Sequence, residues 1–301
     1  MKYDLITILG PTAAGKTRLG VQLANRFDGE IISADSRQVY RRMDIGSGKD
    51  LSEYVIDGRA IKHHLIDVIE PTDEFNLYDF FTRFKIAYEE IKGKNKIPFL
   101  VGGTGLYLHS ILKGYSLNDV KFSEERKREL AETSHTELID QLKKLNPNLH
   151  NTTDLTDKER TINAILIAEQ QAQGVRINLS SLNIGVHDER GVIKQRITKR
   201  LKERLKNGMI EEVEGLMKEG VTIEKLNFFG LEYKYIGQYL TGELSYNDAF
   251  QKLNSRIHNF AKKQMTWYRK MEKEGIEINW VKPGEFEKAG KIIEEKFFGE
   301  K

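Results

Sequence analysis

Over the first hundred residues, short apolar runs alternate with longer stretches whose apolar positions recur every three or four residues. The apolar runs predict strands at Leu5–Leu9, Glu30–Ala34, His64–Val68 and Pro98–Val101. The stretches between them predict helices at Lys16–Phe27, Asn76–Ile91 and Leu106–Lys113; in the first of these, Leu19, Leu23 and Phe27 share one face. Buried strands alternating with helices make a parallel sheet covered on both faces. Ligands of such a sheet lie beyond the carboxyl ends of its strands.

The pattern changes after Tyr115. From about Leu117 to Leu182 the chain is polar and mainly helical, without evident strands, and Asn146-Pro147-Asn148 and Asn151-Thr152-Thr153-Asp154 break it into short helices. Ile184-Gly185-Val186 reads as a strand returning to the sheet. Helices follow at about Gly191–Lys206, Met209–Glu219, near Tyr233, and at Tyr246–Glu274; a closing strand at Glu277–Val281 precedes a terminal helix. The run Lys92-Gly93-Lys94-Asn95-Lys96 reads as a loop. The expected organisation is an α/β core at 1–116 and 183–301, interrupted by a helical insertion at 117–182.

Chemistry enters with the residues after the first strand. Gly10-Pro11-Thr12-Ala13-Ala14-Gly15-Lys16-Thr17 is a G-x-x-x-x-G-K-[ST] phosphate loop in a strand–loop–helix setting. Its backbone N–H groups and the following helix N-terminus favour an anion. Lys16 adds a mobile positive charge, and Thr17 a hydroxyl that can ligate Mg²⁺. The core is therefore expected to be P-loop NTPase-like and to hold a diphosphate or triphosphate. Two further polar sequences end predicted strands on the same edge of the sheet. Asp35 heads Asp35-Ser36-Arg37-Gln38, where a carboxylate can orient a metal-bound water or act as a base, or cap the following turn. Thr104 lies in Gly102-Gly103-Thr104-Gly105, a turn that would project it into the cleft. Adjacent His63 and His64 face opposite sides of a strand and make no chelating pair; Asp67, Asp79 and Glu89 show no metal-ligand spacing. On the helix after Tyr246, Leu253, Ile257, Ala261, Tyr268 and Met271 form a packing stripe, with Gln264 and Trp267 at its margin.

Composition adds two constraints. Zero cysteines exclude disulfides, thiolate metal sites and cysteine nucleophiles. Net charge is only +3, but it is unevenly spread: eight Lys/Arg against two acids between Glu189 and Lys206, and seven against one between Lys252 and Lys273. Each is a solvated helix face or a contact for a polyanion. Met1-Lys2-Tyr3-Asp4 leads into the first strand without a signal peptide, and no apolar run reaches membrane-span length, so the cytoplasm is the expected compartment.

Taken together the motifs resemble the tRNA dimethylallyltransferase (tRNA isopentenyltransferase) family. Besides the phosphate loop, the matching segments are Ile32–Tyr40, Met43–Gly46, His63–Asp67, Asp79-Phe80, Val101–Tyr107 and Ala261–Trp267, in family order over nearly the whole chain. The resemblance implies transfer of the dimethylallyl group of dimethylallyl diphosphate to N6 of an adenosine next to a tRNA anticodon, with Mg²⁺ assisting. It implies that the loop Gly10–Thr17 cradles the diphosphate, that Asp35 is the base, and that Thr104 lies near the entering adenine. It implies tRNA contacts by Asp35, Ser36, Arg37 and Gln38, and within the insertion by Arg126 and by Glu159, Arg160, Thr161, Ile162 and Asn163. A monomer is expected. The chain departs from the usual pattern at Asn163–Leu166, at Ile257–Asn259 and at Glu232-Tyr233-Lys234, where Lys234 takes the place of a second cation on the diphosphate. On the residues alone two alternatives stay open. One is another phosphate-loop enzyme, a small-molecule kinase or an isopentenyltransferase acting on free adenine nucleotides. The other is a non-catalytic RNA-binding protein switched by nucleotide.

Overall fold

The computed structural model describes residues 2–117, 124–145, 155, 157–169 and 175–299. The chain divides into two compact units, one spanning 1–114 and 178–301 and the other 115–177. In chain order the first unit opens with β1 (Leu5–Leu9), α1 (Lys16–Arg26), β2 (Gly29–Ala34), the short pair β3 (Val55–Ile56) and β4 (Arg59–Ala60), β5 (His63–His64), α2 (Leu77–Gly93), β6 (Ile97–Gly102) and α3 (Gly105–Leu112). The second unit holds β7 (Ser116–Leu117), α4 (Glu124–Glu132), α5 (His135–Leu145), α6 (Lys158–Glu169) and β8 (Val175–Arg176). The first unit resumes with β9 (Ser181–Val186), α7 (Arg190–Lys206), α8 (Met209–Lys218), α9 (Ile223–Phe229), α10 (Leu231–Leu240), α11 (Tyr246–Lys273), β10 (Asn279–Val281) and α12 (Phe286–Ile293).

Six strands form a parallel sheet in the order β10-β9-β1-β6-β2-β5. β1 is fully buried, as its unbroken apolar run requires. Its one polar residue, Thr7, meets the Ser181 hydroxyl at 2.8 Å and so is not left unpaired. β1 lies between β9 and β6, so strands from before and after the second unit flank the phosphate loop. Asn76 caps α2 by accepting from the N–H groups of Tyr78 and Asp79, while the Asp79 carboxylate accepts from Asn76 N at 2.8 Å. That reciprocal box is the role of Asp79.

Several expectations need correction. The strand expected at His64–Val68 stops after two residues, because Leu65 (φ 63°) and Asp67 (φ 55°) adopt left-handed conformations that a strand cannot continue through. α2 runs on to Gly93, into the stretch read as a loop. β9 begins at Ser181, before the expected return point, and the stretch read as strandless carries the paired strands β7 and β8. The breaks expected at Asn146–Asn148 and Asn151–Asp154 lie outside the described residues. Within the second unit, Leu130, Leu138, Leu142, Ile162, Ile165 and Leu166 form a separate apolar core. Among the described residues no helix is long and apolar enough to cross a membrane.

Candidate active site

The phosphate loop turns out of β1 through two backbone positions that most residues avoid. Ala13 has φ 63° and Gly15, which caps α1 without a side-chain hydrogen bond, has φ 83°. Gly15 needs no Cβ there, whereas Ala13 is strained, as residues that line ligand cradles often are. The loop is held from elements distant in sequence. Gln264 of α11 accepts from Thr12 N at 2.8 Å and donates to Gly103 O at 2.8 Å, tying the loop to the turn after β6. The Tyr268 hydroxyl donates to Gly10 O at 2.9 Å, and the Arg200 guanidinium donates to the Thr12 hydroxyl.

The loop forms one wall of a cleft of about 710 Å³. Thr12, Ala13, Gly15, Lys16 and Thr17 line it together with Asp35, Ser36, Arg37, Gln38 and Thr104. The carboxyl ends of β1, β2 and β6 thus converge as a doubly wound sheet predicts. Asp35 accepts from Arg37 N at 3.0 Å, so the capping role is real, and the same carboxylate still faces the cleft. Thr104 precedes α3 and accepts from Ser36 N at 3.0 Å, which joins the Asp35 and Thr104 turns. Gln38 is buried; it accepts from the Ser33 hydroxyl at 2.9 Å and donates to Gly48 O at 3.1 Å. The facing wall carries Arg196, Arg200, Arg204, Phe260, Lys263 and Trp267.

A third wall, Gly46–Gly48, is fixed by an internal anion. The Glu212 carboxylate of α8 accepts from the N–H groups of Asp44 (2.8 Å), Ile45 (2.6 Å) and Gly46 (3.0 Å) and from the Tyr233 hydroxyl (2.9 Å). Fully buried Lys49 donates to Tyr40 O (2.7 Å), to Asp44 (2.6 Å) and to Asp67. A buried ammonium with three acceptors is satisfied, and it staples the loop from below.

The cleft is cationic and dry enough to perturb its own charges. Burial lowers the Lys16 ammonium to a pKa of about 8; Asp35 opposes this, and Arg200 and Arg204 add to it. Burial, then the neighbouring Arg204, lowers Arg200 to about 10. Burial raises the carboxyls of Glu232 and Glu53, both of which line the cleft. Cations that repel one another at the end of a helix-borne loop form a site completed by a polyanion.

The residues expected in the insertion fall on opposite faces of α6. Thr161 is buried, donating to Asp157 O at 2.9 Å and meeting His135 Nε2 at 3.0 Å, and Ile162 belongs to the unit's apolar core. Glu159 and Arg160 are exposed and Asn163 is half-buried. Arg126 donates twice to Glu169, at 3.1 and 2.5 Å, and once to Glu129 at 2.8 Å. Thr161 and Ile162 therefore act as packing residues that set the helix, not as surface contacts.

Residues 38–271 match the family model described as IPP transferase, and residues 3–63 match that of isopentenyl transferase. The chain belongs to the IPP transferase family. It is 53% identical over 284 residues to tRNA dimethylallyltransferase 1 of Geotalea daltonii, covering 93% of this chain and 91% of that protein. It is 54% identical over 280 residues to tRNA dimethylallyltransferase 2 of Citrifermentans bemidjiense, covering 92% and 90%. The crystal structure of the tRNA isopentenylpyrophosphate transferase of Bacillus halodurans superposes with a TM-score of 0.70 at 30% identity, covering 99% of each chain. A eukaryotic dimethylallyltransferase acting on tRNA shares the fold with a TM-score of 0.79 at 22% identity, over 99% of this chain and 80% of that one.

In this IPP transferase, Lys234 is not among the residues lining the cleft; Arg200 and Arg204 are. Their i, i+4 spacing on one helix puts both on the same face. The signal was present in the basic segment Glu189–Lys206, but a count of charges does not say which of them point inward. Gln264 was ambiguous because its two partners are backbone atoms of distant loops. The acidic and histidine residues Glu30, His64 and Glu90 are the one group of three potential metal ligands among the described residues. The ammoniums of Lys62 and Lys94 already sit 2.7 Å from Glu90, and Lys94 lies 3.3 Å from Glu30, so the cluster is an ion-pair network.

The lowered Lys16 gives a pH prediction. Its pKa is below that of the unfolded chain, so the charged form costs the unliganded protein stability below pH about 8, and that cost fades as pH rises through the interval up to the ordinary lysine value. A bound diphosphate reverses the balance by favouring the ammonium. Binding of inorganic diphosphate at about pH 9 should therefore take up a proton, and affinity should fall as pH rises above 8. Calorimetry in buffers of different ionisation enthalpy reads the proton count; pH-independent binding with no uptake would exclude Lys16 as the cation that meets the ligand.

Proposed function

We propose that this protein transfers the dimethylallyl group of dimethylallyl diphosphate to N6 of an adenosine beside the anticodon of tRNA, releasing diphosphate. It is a prenyltransferase that modifies tRNA. The observation that carries the reading is the meeting in one cleft of the phosphate loop, two inward-facing arginines and a carboxylate, Asp35, at the end of the adjacent strand. In the reaction the N6 lone pair forms a bond to the allyl C1 while the C1–O bond breaks and its electrons stay on the diphosphate. The N6 proton passes to Asp35. Lys16, Arg200 and the helix N-terminus face the charge that develops on the leaving group. Thr17 and Asp35 offer hard oxygen donors on the same cleft, a set suited to Mg²⁺, which when bound would neutralise diphosphate charge. The target base must leave its stack to reach this depth. Ser36, Arg37 and Thr104 line its path, and the exposed Arg160, with Arg126, Glu159 and Asn163, belongs to the unit that grips the anticodon arm. The reading takes the enzyme to act as a monomer in the cytoplasm.

The test is mass analysis of nucleosides from unmodified tRNA incubated with the protein, Mg²⁺ and dimethylallyl diphosphate. N6-dimethylallyladenosine is the expected product. Transfer to free AMP but not to tRNA would favour the small-molecule isopentenyltransferase, and ATP hydrolysis without transfer the nucleotide switch.

A further inference from the structure

Phe228 and Phe229 are adjacent on α9 and have opposite fates. Phe229 is buried, 4.8 Å from the Tyr40 ring and 5.9 Å from that of Tyr233. This fixes the rotation of the helix and leaves Phe228 outside, 52% exposed. The exposed ring is flanked by two cations: the Arg37 guanidinium lies 5.3 Å from its centroid and the Lys225 ammonium 5.6 Å. Neither is loosely placed. Lys225 donates to the carbonyls of Asp73 (2.7 Å) and Thr72 (3.3 Å). Arg37 follows the Asp35 turn, and its Nε would lie 3.3 Å from a Cβ at position 230. Gly230, at φ 118° between α9 and α10, is thus the residue that lets the arginine lie against the chain beside the ring.

Arg37 and Gly230 line the catalytic cleft, so the exposed ring stands at its rim. A solvent-facing aromatic held between two cations suits a ligand that is both planar and anionic. Nucleobases stack on aromatic rings and on guanidinium planes, and the phosphates beside them seek the cations. We propose that Phe228 with Arg37 is a stacking platform for the RNA base next to the adenosine that enters the cleft. The proposal rests on the tRNA reading above. It adds a positioning role for Phe228: by holding the neighbouring base outside, it keeps the splayed strand from restacking on the target.

The experiment compares wild type with Phe228→Leu, which keeps apolar bulk without a π-face, and with Phe228→Trp, which keeps the platform. The probes are tRNA transfer kinetics and an anticodon stem-loop with 2-aminopurine beside the target adenosine, whose fluorescence is quenched on stacking. Phe228→Leu should raise KM for tRNA by about tenfold and lose the quenching, and Phe228→Trp should restore both. All three proteins should bind dimethylallyl diphosphate equally, which reports an intact cleft. An unchanged KM and full quenching in Phe228→Leu, with wild-type transfer to tRNA intact, overturn the platform alone. A wild-type enzyme that transfers nothing to tRNA overturns the functional reading and the platform with it. Concentration-dependent dimerisation abolished by Phe228→Leu would assign the ring to a second copy of the chain instead.

Discussion

Asp35→Asn is expected to lower kcat by about 10²–10⁴-fold, the contribution of a positioned general base. The N6 amine is a weak nucleophile because its lone pair is delocalised into the ring, so removal of its proton as the C–N bond forms carries much of the barrier. Asp35 also accepts a hydrogen bond from Arg37 N at 3.0 Å, and the asparagine carbonyl oxygen can accept the same bond. Asn and Asp cap turns about equally well, so the turn, tRNA affinity and melting temperature should stay close to wild type. The substitution isolates basicity. A well-folded Asp35→Asn enzyme with nearly full kcat would show that the carboxylate only holds its turn.

Lys16→Ala is expected to lower turnover by about 10²-fold or more, the scale of losing one preorganised group that meets developing charge. tRNA affinity should change little, because Lys16 belongs to the phosphate wall of the cleft. The substitution removes a cation pressed against Arg200 and Arg204, so melting temperature below pH 8 should hold or rise. Fast transfer by Lys16→Ala would move the reaction centre away from the phosphate loop.

The two predictions concern residues that were legible in the sequence for a shared reason. Lys16 and Asp35 each end an unbroken apolar strand, and a parallel sheet places such ends side by side. Thr104 was legible on the same ground. The opposite wall was not. Arg200 and Arg204 lie in a segment with six other basic residues, and their inward direction depends on which face of α7 packs on α11, a tertiary fact. α9 escaped notice because its seven residues are too few for a helical period to repeat. The strand at His64–Val68 read as regular because local apolar pattern does not register a left-handed turn at Leu65 or Asp67. Thr161 and Ile162 matched a contact segment by position, but a helix sends neighbouring side chains to different faces, and the pair faces inward.

The hydrogen bonds that hold the phosphate loop have a consequence for how the enzyme is made. Thr12 and Gly10 are held by Gln264 and Tyr268, some 250 positions later in the chain, and β1 pairs with β9 from beyond the second unit. Contacts of such sequence separation form late, and synthesis proceeds from the N-terminus. The loop is among the first segments to leave the ribosome, yet it gains its supports only when α11 has been synthesised and docked. A nascent or truncated chain therefore carries the motif without the shape, and the transferase can engage its substrates only once nearly the whole polypeptide has folded.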